Sequence, residues 1–196
     1  FKPSRSMELG TLVHKLLLQN ETAWATAPQV DRRTKAGKAE WEDFCLNNAG
    51  YTIITPEEEN LVIGAVQSLK GLMDSALEET EVAMYWERDG VQCKGKVDGI
   101  CASKGSATPM LIDVKTTSDI HSFDRDFFKF RYDIQAAWYS AGYEKLTGNM
   151  PCFFFFVVEM REPFLSQCVM VTQRTIDKAN ASIDTSLLQF KGCDDR

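Results

Sequence analysis

Gly95-Lys96-Val97-Asp98-Gly99-Ile100 and Met110-Leu111-Ile112-Asp113-Val114-Lys115-Thr116-Thr117 are two short apolar, β-prone runs separated by the turn-rich segment Ser103 to Pro109. Runs of this kind, bounded by turn residues and lying so close together, read as the two strands of a hairpin. Side chains at i and i+2 of a strand share a face. Asp113 and Lys115 therefore point the same way, and Asp98 can face them from the adjacent strand. Two carboxylates make a hard-oxygen site for Mg²⁺ or Mn²⁺. A lysine beside them can orient a water whose pKa the metal lowers or, as the neutral amine, deprotonate it, as phosphodiester hydrolysis requires. The competing reading is an exposed Asp–Lys pair on an edge strand, and these two segments alone do not choose between them.

Three further segments bear on that choice. In Met7 to Leu18, Leu9, Val13, Leu16 and Leu17 recur at helical spacing, and His14 interrupts the apolar side. Neutral imidazole is a good ligand for a divalent metal, although a histidine on such a helix also serves as a hydrogen-bonded core residue. In Tyr132 to Tyr143, Gln135 and Tyr139 are four apart and share one face of a second amphipathic helix. Asp31 to Trp41 carries Arg32, Arg33, Lys35 and Lys38, four cations within seven residues. That run is either a solvated loop or a local contact for phosphates.

The remaining elements follow from periodicity and punctuation. A helix is expected over residues 7–19, with a short one over Ala36 to Asn47 in an otherwise irregular, polar stretch from 20 to 60. Thr55, Pro56 and Glu58 form a capping-box start for a helix running to about Glu79, with Leu61, Ala65, Leu69, Leu72 and Leu77 at helical period. Strands are expected at Glu81–Glu87, Val91–Ser103 and Pro109–Thr116, with Asp89-Gly90 as a two-residue hairpin turn. Residues 117–130 read as a polar loop with four phenylalanines, at least two of them in the core, the others near Lys129 and Arg131 where an unpaired base could stack. A helix from Tyr132 to Thr147 stops at Gly148, strands Cys152–Glu159 and Ser166–Thr172 follow, and a helix from Thr175 to about Phe190 closes the chain. This order predicts one α/β domain over 1–196, with a mixed central sheet flanked by helices.

Taken together, the Gly-Thr-Leu-Val-His helix, the Arg-Arg-Thr-Lys run, Glu81 to Trp86, Asp98, Asp113-Val114-Lys115-Thr116-Thr117, Gln135 with Tyr139 and the strand Phe153 to Glu159 resemble exodeoxyribonuclease VIII-type (RecE-like) exonucleases. These belong to the RecB-like branch of the PD-(D/E)xK nuclease superfamily. The second acid is Asp113 rather than Glu, a variation that superfamily allows. The resemblance implies the PD-(D/E)xK core fold, and 5′→3′ digestion of one strand from a double-stranded DNA end. The 3′ overhang would serve an annealing protein of RecT type. It also implies Mg²⁺, replaceable by Mn²⁺, held by His14, Asp98, Asp113 and the Val114 carbonyl. Lys115 would position the nucleophilic water, with Gln135 and Tyr139 supporting the site and Glu81 as a further acid close to the metal. Arg32, Arg33, Lys35, Lys38, Thr116 and Thr117 would meet the DNA backbone. Nucleases of this type enclose DNA in a ring of subunits, so a homo-oligomer is expected. Two rivals stay open: a RecB-like nuclease acting on single strands, and a non-catalytic DNA-end-binding domain.

Composition restricts the alternatives. The chain has 196 residues and a net charge of −6, which excludes a generally basic nucleic-acid coat but not a local basic channel. The six cysteines show no C-x-x-C spacing, so a zinc knuckle is not expected, and they read as buried free thiols of a reducing, cytoplasmic (bacterial or phage-encoded) protein. Residues 151–158 are apolar but too short to span a membrane. No signal peptide is visible, and the start at Phe1 suggests a piece of a longer chain.

Overall fold

The computed structural model describes residues 2–73, 77–102 and 108–194. Helix α1 (Arg5–Leu18) begins where the Ser4 hydroxyl accepts the Met7 N–H, and it buries Leu9, Leu12, Val13 and Leu18. Strand β1 (Trp24–Thr26) pairs in parallel with β2 (Thr52–Ile54), across helix α2 (Lys35–Asn47), which Thr34 caps. Helix α3 (Pro56–Leu72) starts with the capping box expected of Thr55 and Glu58. Strands β3 (Glu79–Arg88), β4 (Val91–Ala102) and β5 (Pro109–Thr117) follow. Next come α4 (Phe123–Lys129), α5 (Tyr132–Thr147), β6 (Cys152–Glu159), β7 (Ser166–Val171) and α6 (Gln173–Asp194).

The main sheet has the order β3-β4-β5-β6-β7. Its hairpins are antiparallel, and β5 and β6 are parallel, because α4 and α5 carry the chain back to the same end of the sheet. The Asp89-Gly90 turn has positive φ at both residues, 53° and 78°, the geometry that matches strand twist. Helices cover both faces. On one side Val97, Leu111, Phe153, Phe155 and Val157 meet Ala136 and Ala137 of α5 and Ile176 and Ile183 of α6. On the other, Val114 and Val158 meet Leu12 and Val13 of α1 and Val62, Val66 and Leu69 of α3. The mixed, helix-flanked sheet is the expected architecture.

Several local expectations are corrected. Helix α3 ends at Leu72, not near Glu79. Glu78 N–H already donates to Ile100 O, and Leu77 packs against Gly99, so tertiary pairing with β4 takes these residues from the helix. The stretch from 20 to 60 contains the β1/β2 pair, and residues 117–130 contain a 3₁₀ turn and α4 in place of a loop. Phe123 and Phe127 are in the core while Phe128 and Phe130 are exposed. The cysteines are free, but only Cys93 and Cys101 are buried; Cys168 and Cys193 are exposed. Ser103, expected to end β4, lies outside the described residues. Among the described residues, no helix is long and apolar enough to cross a membrane.

Candidate active site

The site opens where the sheet stops being regular. Pairing of β4 with β5 runs from Ala102↔Pro109 to Gly99↔Ile112 and ends there. One more step would set Asp98 across from Asp113. Instead the Asp98 carboxylate replaces the ladder: Oδ2 accepts the Val114 N–H at 2.7 Å. On the other side of β4, the pairs Thr80↔Gly99 and Val82↔Val97 flank Glu81, which drops out of the ladder with φ +58°. A non-glycine residue in that left-handed conformation costs roughly 1–3 kcal/mol and persists only where its surroundings enforce it. The result is that ligand atoms of His14, Glu81 and Asp98 all lie within 4.8 Å of one another. The neighbouring strand cation Lys96 is ion-paired with Glu81.

Helix α1 supplies the histidine through a close approach. A Cβ on Gly10 would sit 2.9 Å from Thr116 Oγ1, so only glycine lets the helix lie this near β5. One turn later on the same face, His14 places Nε2 2.9 Å from the Val114 carbonyl and Nδ1 3.4 Å from Asp98 Oδ2. This is the physical content of the Gly-x-x-x-His spacing.

Asp113 is 2% exposed. It is ion-paired with Lys115 and accepts a 2.6 Å hydrogen bond from Gln135 Nε2 of α5. Lys115 Nζ also lies 4.8 Å from the centroid of the Tyr132 ring. The Tyr139 ring lies against Gly95, where a Cβ would come within 2.8 Å of it, so α5 sits close on β4. His14, Glu81, Asp98, Asp113, Val114, Lys115, Gln135 and Tyr139 thus converge from α1, β3, β4, β5 and α5. His14, Glu81, Val114, Lys115 and Thr116 line a cavity of about 580 Å³, whereas Thr117 spends its hydroxyl on the Asp119 carbonyl and lines the adjoining one.

The basic run does not join the site cavity. Arg32 stacks 4.5 Å over Trp41, Arg33 pairs with Asp31, and Lys35 and Lys38 are exposed near the start of α2. Two site residues escaped the sequence reading. Lys96 is two residues from Asp98 and so shares its strand face; Tyr132 lies three residues before Gln135 on one helix face. Periodicity alone would have found both.

Electrostatics distinguishes the acids. Burial pushes Asp113 up to about 6, Lys115 opposes, and the nearby Asp98 charge adds to the push. Asp98 is held below the usual carboxylate range: burial works against this, but His14, the Val114 N–H and Lys115 outweigh it. His14 is raised, since Asp98 outweighs the burial that disfavours its charged form. The imidazole of His14 and the carboxylates of Glu81 and Asp98, with the Val114 carbonyl beside His14, suit an oxygen-preferring cation such as Mg²⁺ or Mn²⁺.

Comparison with solved structures finds the fold again. A crystal structure of a "Putative exonuclease" from Eubacterium rectale superposes with a TM-score of 0.64 at 15% identity, covering 96% of this chain and 67% of that one. The protein SSO0001 gives a TM-score of 0.38 at 14% identity over 93% of this chain and 86% of that one, too distant to carry weight. No curated protein matches. The family of PDDEXK-like domains of unknown function, DUF3799, matches over residues 2–196, and with the sheet break, the Asp–x–Lys strand and the helix histidine in place, the chain belongs to that family.

Proposed function

We propose that this protein is a divalent-metal-dependent exonuclease that digests one strand of duplex DNA from its end, in the 5′→3′ direction, leaving a 3′ overhang. The observation that carries the nuclease part is the convergence of His14, Glu81 and Asp98 beside the Asp113–Lys115 pair, at a break in an otherwise regular sheet. Direction, the RecT-type annealing partner and a DNA-enclosing ring rest on the resemblance of motif order to exodeoxyribonuclease VIII. An enclosing ring would also keep a chain of net charge −6 on a polyanion.

His14, Glu81, Asp98, Asp113 and the Val114 carbonyl would hold the cation. When bound, Mg²⁺ or Mn²⁺ supplies Lewis acidity at the scissile phosphate and lowers the pKa of the attacking water. Lys115 lies on the Asp113 face of β5 and, as the ammonium paired with Asp113, would orient that water by donating a hydrogen bond to its oxygen. Gln135 donates to one Asp113 oxygen, which leaves the other for Lys115 or the cation. The Tyr132 ring steadies Lys115, and Tyr139 packs one helical turn from Gln135 against β4. Lys96, 57% exposed at its side chain, is free to leave Glu81 for a phosphate.

A linear duplex labelled at either the 5′ or the 3′ ends tests this reading. Early release of 5′ label as mononucleotide, with covalently closed circles untouched, supports it. Early release of 3′ label reverses the polarity, and nicking of circles removes the exonuclease assignment.

A further inference from the structure

A second cavity, of about 590 Å³, adjoins the one lined by His14 and Glu81 and shares Lys115, Thr116 and Tyr132 with it. Its size falls within the range of about 300–1,000 Å³ typical of small-ligand sites. One residue of its wall, Arg161, is paired with a buried charge that the hydrolytic chemistry does not use. Glu159, 1% exposed, ends β6 directly beside Thr117 in the parallel register. Residues paired this way share a face, so Glu159 extends the row Asp113, Lys115, Thr117. A carboxylate so buried costs several kcal/mol unless a cation balances it. The balancing cation is Arg161, whose Nε lies 2.6 Å from Glu159 Oε1 while its side chain remains 64% exposed and lines the cavity. The ion pair takes one edge of the guanidinium. Among the described residues, no acceptor takes the two terminal nitrogens, the fork that suits a phosphate.

The opposite wall is aromatic. Phe130 is 55% exposed, its ring centroid is 5.9 Å from that of Tyr132, and Lys129 Nζ lies 5.0 Å over it. A large aromatic face left open beside a cation stacks bases regardless of sequence. Asp126 also borders the cavity, with its charge offset by Arg125 at 3.5 Å. Phosphate-binding fork, stacking face and the hydroxyls of Ser6 and Ser118 are therefore gathered next to the proposed hydrolytic centre.

We propose that this cavity is a single-nucleotide subsite: the Arg161 guanidinium, fixed by Glu159, takes the phosphate, and Phe130 with Tyr132 takes the unpaired base. The proposal rests on the nuclease reading for its place beside the scissile bond, but binding tests it without hydrolysis. Calorimetry with 2′-deoxyadenosine 5′-monophosphate in EDTA reads the subsite alone, because no metal contributes. Saturable binding by the wild type is expected, weakened about tenfold by Arg161→Ala, the loss of a charge-assisted contact. Phe130→Ala should weaken it similarly, and Lys178→Ala, on the exposed side of α6, should not. Deoxyadenosine, lacking the phosphate, should bind the wild type and Arg161→Ala alike. Phe130 is exposed, so its replacement does not threaten folding; Arg161→Ala unpairs the buried Glu159, so the double variant Glu159→Gln, Arg161→Ala, which leaves no unbalanced charge, should lose nucleotide affinity to the same extent. Equal nucleotide affinity in Arg161→Ala and wild type, or no saturable binding by the wild type, overturns the subsite. Nucleotide binding that depends on Arg161 in a protein that never cleaves DNA would uphold the subsite while removing the nuclease reading.

Discussion

Lys115→Ala should destabilise the metal-free protein in a strongly pH-dependent way. The Asp113 side chain is 3% exposed and that of Lys115 17% exposed, so the pair is shielded from solvent. Burial pushes Asp113 up to about 6 from its ordinary 3.8, with Lys115 as the principal opposing influence. A carboxyl whose folded value is raised stabilises the fold below its unfolded value, and that contribution is lost as pH rises through the folded one. Here the loss falls between about pH 4 and pH 6. Without Lys115 the folded value climbs further and the loss continues to higher pH. At pH 5 Asp113 is mostly protonated in both proteins, so the replacement costs only the cation's contacts with the Tyr132 and Phe155 rings, about 1 kcal/mol. At pH 8 the wild type has an ion pair and the variant a buried carboxylate without its cation, a change of about 3–5 kcal/mol. Denaturant unfolding in EDTA at both pH values measures the difference. The gap between variant and wild type should widen by at least about 2 kcal/mol from pH 5 to pH 8. An equal gap at the two pH values would refute the assignment of Lys115 as the counter-charge of Asp113.

The other expectations concern the metal, the basic run and the packing of α5. Mn²⁺ should raise the melting temperature of the wild type and do so less for His14→Ala or Glu81→Gln, by mass action on the folded state; equal metal-induced rises would make His14 a core residue and Glu81 a bystander. Metal affinity, followed by calorimetry, should fall as pH drops through about 6, where Asp113 takes a proton, and a flat profile would contradict its role as a ligand. Charge reversal at Arg32, Arg33, Lys35 and Lys38 should flatten the salt dependence of DNA binding by roughly one unit of slope for each lost phosphate contact, with hydrolysis at saturating DNA nearly unchanged; an unchanged slope would make the run a solvated surface. Gly142→Ala would put a Cβ 2.9 Å from the Trp86 ring and should cost about 1–3 kcal/mol in unfolding experiments, whereas a neutral result would mean that α5 can shift on the sheet.

Much of the site was legible because its geometry follows short-range periods. The two-residue period of β5 puts Asp113 and Lys115 on one face, and the four-residue helical period sets His14 one turn from Gly10 and Tyr139 one turn from Gln135. Local chemistry also marked the capping box at Thr55 and the left-handed stop at Gly148. What stayed hidden depends on contacts distant in sequence. Three-residue strands such as β1 and β2 carry too short a pattern to be read, and their pairing is fixed only by folding. Helix α3 ends early because β4 claims the residues around Leu77. The outward turn of Glu81 comes from a backbone conformation that no propensity favours for glutamate. Glu159 reads in the sequence as an ordinary strand end, and only its burial beside Arg161 distinguishes it.

The most direct test is release of acid-soluble nucleotide from linear duplex DNA by the wild type and by Asp98→Asn, each with Mg²⁺ and with EDTA. Asp98 is the choice because it closes both the ladder break, through the Val114 N–H, and the ligand cluster, through His14 and Glu81. The predicted result is release by the wild type in Mg²⁺, none in EDTA, and at least about a hundredfold loss in Asp98→Asn, a modest share of the several kcal/mol expected of the metal. Wild-type protein that releases nothing with either Mg²⁺ or Mn²⁺, or an Asp98→Asn variant that keeps the wild-type rate, would contradict a metal-dependent nuclease centre at this site.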